Sequence, residues 1–165
     1  MVQVDGELFE CSHGEYVLKI RKFQATDTAA LRALFVETVH QVNSRDYNAS
    51  QIAAWAPLSY DFATWLARLS AINPFIAELD GVIVGYADIQ ADGYIDHFFC
   101  HAQYQRQGVG KALMHKLLET AQQQGNARLY VHVSITAKPF FVAFVLFFSS
   151  IFQLLLTNFV MEKRC

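Results

Sequence analysis

The run Gln105-Arg106-Gln107-Gly108-Val109-Gly110 is the part of this sequence whose residue types and spacing most directly imply a ligand. Glycines at alternate positions let the backbone turn successive N–H groups inward, and the helical pattern that follows adds the partial positive charge of a helix N-terminus. The ligand of such a loop is an anion. Two other phosphate loops are excluded by the residues present. A Walker loop needs four residues between its glycines and then Lys followed by Ser or Thr, whereas Gly110-Lys111 is followed by Ala112 and Gly108 lies only two positions upstream. A dinucleotide fingerprint needs a third glycine three residues past the second, where Leu113 stands. Ahead of the loop, Asp96 and His97 are neighbours on a predicted strand, and alternation sends their side chains to opposite faces. His97 and His101 are four apart on a strand and a loop rather than on one helix face, and neither HExxH nor CxxC accompanies them, so no metal is expected.

These residues need elements to hold them. Residues 16–23 alternate apolar and basic side chains over their second half, as a half-buried strand does. Thr26 and Asp27 offer cap oxygens to a helix in which Leu31, Leu34, Phe35 and Val39 recur at helical spacing, running to about Val42. After a polar loop at 43–48, two short helical patterns cover 50–55 and 60–69. Residues 74–79 and 82–89, joined by Asp80-Gly81, form a predicted hairpin, and 94–100 supply a third strand of an antiparallel meander. From Val109 a stripe of Leu113, Leu117 and Ala121 predicts a helix closed by Gly125-Asn126, before a last clear strand at 127–133.

Composition narrows the function classes. A chain of 165 residues supports one sizeable core, so one domain over 1–165 is expected, with a weakly patterned leader at 1–15. With 13 basic against 15 acidic residues there is no electrostatic footprint for nucleic acid. Cys11, Cys100 and Cys165 are odd in number and widely spread, which suits reduced thiols in a cytoplasmic protein, and the acidic N-terminal residues do not read as a secretory signal. One stretch opposes this: 139–161 carries no charge and is long enough to span a bilayer, although Ser149, Ser150, Gln153 and Asn158 dilute it.

The pattern [RQ]xxGx[GA] after an antiparallel meander, with Gln105, Gly108 and Gly110 at its fixed positions, resembles the GNAT (GCN5-related N-acetyltransferase) superfamily. Residues 47–56, 94–104, the loop and its helix, and 134–141 are similar to YafP-like bacterial acetyltransferases. The resemblance implies an α/β GNAT acyl-CoA N-acyltransferase fold, a mixed, mostly antiparallel sheet flanked by helices. It implies acetyl-CoA as acyl donor, no metal, and direct attack by a primary amine of a small molecule or protein in a ternary complex.

It also implies site residues. The backbone of Phe98, Phe99 and Cys100 would pair with the pantetheine arm and face the thioester carbonyl. The N–H groups of Gln107, Gly108, Val109, Gly110 and Lys111 would cradle the pyrophosphate, with Arg106 and Lys111 adding positive charge. Asp96 matches a strand position where many relatives carry a carboxylate and is the expected base. Ser134 stands where a pantetheine-binding asparagine is frequent, and Tyr47 and Trp55 fall on the acceptor side. The position of the usual tyrosine acid is matched by Phe141, which cannot donate a proton. The sequence leaves a homodimer open and does not name the acceptor.

After Phe141 the resemblance weakens. It implies a charged helix end, a Gly-Phe turn and a pair of strands, and 142–156 has instead an uncharged run without the turn glycine. The stretch is then a rebuilt hairpin, the product of paired frame shifts, or a membrane anchor preceding Glu162, Lys163 and Arg164. The rival function is a noncatalytic acyl-CoA-binding or membrane-tethered module of the same fold.

Overall fold

Alternation along the third strand of the chain sets the sheet. In the computed structural model, which describes residues 2–4, 7–9, 17–148 and 153–158 and the side chains of 17–144, Val2–Val4 (β1), Glu7–Phe9 (β2) and Leu18–Lys22 (β3) lead the chain. Leu18 and Ile20 turn into the core while Lys19 and Arg21 turn out. The order is β2-β1-β3-β4-β5-β7, completed by Phe75–Leu79 (β4), Val82–Ala87 (β5) and Phe98–Cys100 (β7). A second sheet, β6-β8-β9, holds Tyr94–Ile95 (β6), Arg128–Val133 (β8) and Gln153–Asn158 (β9). The two strands in the leader were not expected, because segments of three residues are too short to show a period.

Helices cover both faces. Thr28–Gln41 (α1), Ala49–Trp55 (α2) and Phe62–Ile72 (α3) enclose one core with Leu31, Phe35, Trp65, Ile76 and Tyr86. Val109–Gln124 (α4) and Lys138–Phe148 (α5) bound the other, where Leu113, Met114 and Leu117 meet Ile20, Val84 and Val131. Local chemistry fixes the helix ends. Asp61 accepts the Thr64 N–H at 2.7 Å, and Asn48 and Gln51 cap α2 reciprocally. Asp27 is the N-cap residue of α1, but its side chain makes no bond to that helix, contrary to the expected cap: it accepts the Gln24 N–H and holds the Arg21 guanidinium with both oxygens, at 2.8 and 2.9 Å. Asp80 and Gly81 have φ of 49° and 82°, the paired left-handed residues of a two-residue hairpin turn.

Two expectations are corrected. Residues 94–100 do not run as one strand of a meander. β7 pairs antiparallel with β5, but β6 leaves that sheet and pairs in parallel with β8, matching Tyr94 to Tyr130 and Ile95 to Val131. The cause is local. The Asp88 carboxylate accepts the His97 N–H at 2.6 Å, taking the amide that a continuous ladder would give to backbone. Asp96 and His97 therefore sit at the fork between the sheets, and their side chains converge instead of taking opposite faces: Asp96 Oδ2 is 3.6 Å from His97 Nε2.

The tail bears on the membrane-anchor alternative left open for 142–156. Among the described residues no helix is long and apolar enough to cross a membrane. α5 ends after 11 residues, about 16 Å at 1.5 Å per residue against a hydrocarbon core of about 30 Å, and β9 follows it, parallel to β8. Residues 149–152 and 159–165 lie outside the described residues, as do Cys11 and Cys165.

Candidate active site

Where the sheets fork, a cleft of about 1280 Å³ opens. It runs from the glycine loop, past the free edge of β7, to Asp96 and the inner faces of α1 and α3. Asp96, Phe98, Phe99, Cys100, Gln105, Arg106, Gly108, Gly110, Lys111, Ser134, Tyr47 and Trp55 all line it. Two residues named from sequence do not. Gln107 is exposed, its amide donating to the Gln103 carbonyl at 3.1 Å, and Val109 is buried in the α4 core. Only their backbone N–H groups remain available to a ligand.

The loop is built for backbone donors. Gly108 is the N-cap of α4 with φ 88°, so no cap side chain competes for the first amides of the helix, and Arg106 also takes a left-handed φ of 61°. Gln105 explains its own place in the motif: its Nε2 donates to the Cys100 carbonyl at 3.0 Å, tying the loop to β7. Gly110 answers to packing, since a Cβ there would stand 3.0 Å from the Phe140 ring.

The edge of β7 follows from its pairing. His97 accepts from the Asp88 N–H and His101 donates to the Val84 carbonyl, so the backbone groups of His97, Phe99 and His101 face β5. Those of Phe98 and Cys100 face the cleft. The Cys100 carbonyl already accepts from Gln105 and from Thr38 Oγ1 at 3.2 Å. Phe99 thus contributes through its ring, stacked 5.6 Å from Tyr86 and edge-on to Phe35 at 5.0 Å. Across the gap, Ser134 Oγ accepts from Ala137 N–H and from Asn43 Nδ2, Tyr47 Oη accepts the Ile135 N–H at 2.9 Å, and Thr136 donates to Asp46 at 2.7 Å. These bonds strap residues 43–47 to the turn after β8. Trp55 stands edge-on to Tyr47 at 5.6 Å.

At the fork, Asp96 accepts from Arg68 Nη2 at 3.1 Å and from the Tyr94 hydroxyl at 3.4 Å. His97 is buried against Phe35 and Trp65, with Nδ1 3.0 Å from the Tyr86 hydroxyl. Burial pulls its pKa down to about 4, outweighing the pull of Asp96 toward the charged form. A neutral ring with Nδ1 accepting from Tyr86 turns its Nε2–H toward Asp96. Sequence reading missed Arg68 and Tyr94 as partners of Asp96; Trp65 and Arg68, three apart on a helical pattern, were the available signal for one face.

Beneath them Asp88 is fully buried, with Oδ2 unpaired, and burial pushes it up to about 6. Between about pH 4 and 6 the unfolded chain has released this proton and the folded chain keeps it, so Asp88 makes stability fall as pH rises. His97 acts oppositely: from about pH 6.5 down to 4 the unfolded chain gains a proton that the folded chain refuses, so stability falls on acidification. The two slopes offset. Asp88→Asn should gain about 1 kcal/mol at pH 7 and lose stability more steeply than the parent from pH 6.5 to 4.5. Denaturant titrations at several pH values check this, and equal slopes would refute it.

A family model described as an acetyltransferase (GNAT) domain matches residues 43–144. The chain is 34% identical over 124 residues to the uncharacterized N-acetyltransferase YafP of Escherichia coli K12, covering 75% of this chain and 77% of that protein. A GCN5-related N-acetyltransferase from Rhodopseudomonas palustris superimposes with a TM-score of 0.72 at 35% identity, over 75% of this chain and 78% of that one. The fold is shared with yncA from Salmonella typhimurium, whose structure contains its cofactor acetyl-CoA, at a TM-score of 0.60, 20% identity and 78% of each chain. A family match over more than half the chain, joined to a relative above 30% identity across three quarters of it, settles the assignment: the chain belongs to the GNAT family of acetyl-CoA-dependent N-acetyltransferases.

Proposed function

We propose that the protein transfers acetyl from acetyl-CoA directly to a primary amine of a small molecule or protein, with both substrates in the cleft at once. The observation that carries this reading is the continuity of one cleft from the uncapped start of α4, along the outward-facing amides of Phe98 and Cys100, to the carboxylate of Asp96. The N–H groups of residues 107–111 fit a pyrophosphate, with Arg106 and Lys111 on the same wall. The edge of β7 fits the pantetheine arm as an added strand, and its amides would steady the oxyanion of the tetrahedral intermediate. The Ser134 hydroxyl keeps a proton to donate to that arm.

In this reading Asp96 takes the ammonium proton, the freed amine attacks the thioester carbonyl, and the C–S bond breaks to release CoA thiolate and the N-acetylated product. Phe141 is buried edge-on to Phe98 at 5.2 Å and offers no proton, so the thiolate leaves to water. Cys100 supports transfer without an acyl-enzyme. Burial pushes its thiol up to about 12, which removes the thiolate a covalent route would need.

CoA at about 100 times its Kd should stabilise the protein by about 2.7 kcal/mol, a rise of several degrees in Tm. Free thiol should appear when acetyl-CoA is given with an amine panel. Gly108→Val, forced into φ 88° and crowding the cradle, should weaken CoA binding at least about 100-fold while costing the fold only about 1–2 kcal/mol. Stabilisation by CoA without thiol release on any amine would support the noncatalytic module instead.

A further inference from the structure

Arg32 lies on α1 in the wall of the cleft and is only 6% exposed. Its Nη2 donates to the Pro57 carbonyl, its Nε has no partner, and among the described residues no carboxylate meets it. Its guanidinium sits 4.8 Å from the Tyr60 ring, 5.1 Å from Trp65 and 5.3 Å from Phe35. Rings attract a cation without neutralising it. Burial pulls its pKa down, and the groups that oppose this are the phenols Tyr60 and Tyr86 rather than any carboxylate. The contrast with Arg21 is internal to the protein: that guanidinium, more exposed, holds both Asp27 and Glu78. A buried cation left without an anion is costly, and a cation kept so beside a ligand cleft implies that the ligand brings the anion.

The same rings tie Arg32 to the acceptor end. Phe35 and Trp65 each touch both Arg32 and His97, with ring separations from His97 of 6.2 and 5.8 Å, and His97 Nε2 is 3.6 Å from Asp96. One layer of aromatic side chains thus separates an unpaired cation from the carboxylate proposed as base. We propose that the acceptor is an amine that also carries a carboxylate several bonds away, as the side-chain amine of an amino acid such as lysine does, whose carboxylate pairs with Arg32 while its ammonium meets Asp96. This rests on the acetyl-transfer reading for the amine and on Arg32 alone for the anion. An Arg32 that served only to clamp the Pro57 carbonyl and pack the rings would leave binding indifferent to the carboxylate.

The test is calorimetric binding to the CoA-saturated protein of matched pairs of different size: glycine against methylamine, lysine against cadaverine, phenylalanine against 2-phenylethylamine. A dipeptide pair, Phe-Asp amide against Phe-Asn amide, distinguishes a peptide acceptor from a free amino acid. In at least one pair the carboxylate-bearing member should bind about tenfold tighter or more, equivalent to about 1.4 kcal/mol. Arg32→Met should bring that ratio to about one, leave the carboxylate-free amine within about threefold, and leave the CoA affinity unchanged. Should Arg32→Met fail to fold, the wild-type ratios decide, together with retention of part of the preference in Arg32→Lys. Equal binding within every pair overturns the proposal, even where thiol release shows that amines are acetylated. A carboxylate preference without thiol release keeps the anion site and overturns acetyl transfer instead.

Discussion

Asp96→Asn should lower kcat by about 10²–10⁴-fold, a loss of about 3–5.5 kcal/mol of transition-state stabilisation, while CoA binding stays within about twofold. The asymmetry follows from position. Asp96 stands at the fork with Arg68, Tyr94 and His97 around it, whereas the cradle and the strand edge that meet CoA lie on Gly108 and on β7. The amide of asparagine keeps one oxygen for Arg68 and sets its NH2 where the Tyr94 hydroxyl can turn to accept, so the wall is not dismantled, yet it no longer accepts a proton. Arg68 is 54% exposed and pairs with a carboxylate 24% exposed, a contact that an arriving ammonium can displace at little cost. Steady-state kinetics beside CoA titration would measure both effects. A kcat within threefold of the parent would remove Asp96 as the base and pass the role to His97, whose neutral ring touches the same cleft.

The other large effect concerns stability. Gly93 has φ 87°, and a Cβ there would stand 2.2 Å from the Arg128 carbonyl oxygen, a backbone atom that cannot rotate away. Gly93 also accepts the Tyr130 N–H at 3.0 Å, so it joins β6 to β8 at their shared end. Gly93→Ala should therefore cost about 3–5 kcal/mol, combining the left-handed penalty with displacement of a strand, and lower Tm by about 10 °C or more. Against a total stability of about 5–15 kcal/mol, that takes the protein close to unfolding. Gly81 is the control: φ is 82° but nothing stands within 4 Å of a Cβ, so Gly81→Asn should cost far less. Equal losses at both glycines would show that backbone conformation, not the Arg128 carbonyl, sets the penalty.

What the sequence disclosed and what it concealed divides along the range of the forces. Gly108, Asp80-Gly81 and the stripe on α4 act within a few residues, and each was legible. The fork was not, because residues 94–100 are rich in β-formers throughout, and the side chain that interrupts their ladder, Asp88, comes from just past the end of β5. For the same reason Asp96 was visible as a carboxylate, but not its ion pair with Arg68, 28 positions away. Arg32 hid inside an otherwise ordinary helical stripe, where an arginine reads as exposed until the rings of Tyr60 and Trp65 are folded over it. The leader strands are recruited by the edge of β3 and have no period of their own.

One consequence of the fork reaches beyond the site. Asp96 and Phe98 are two residues apart, so the Cα of the proposed proton acceptor and that of the first outward-facing residue of β7 can stand no more than about 7 Å from each other, whatever the helices do. No packing between helices has to be accurate for that distance to hold. Working geometry of this kind resists drift elsewhere: substitutions in the helices will be felt first as lost stability and only later as lost alignment. The chain keeps its ruler in covalent bonds, and the rest of the fold is left free to change around it.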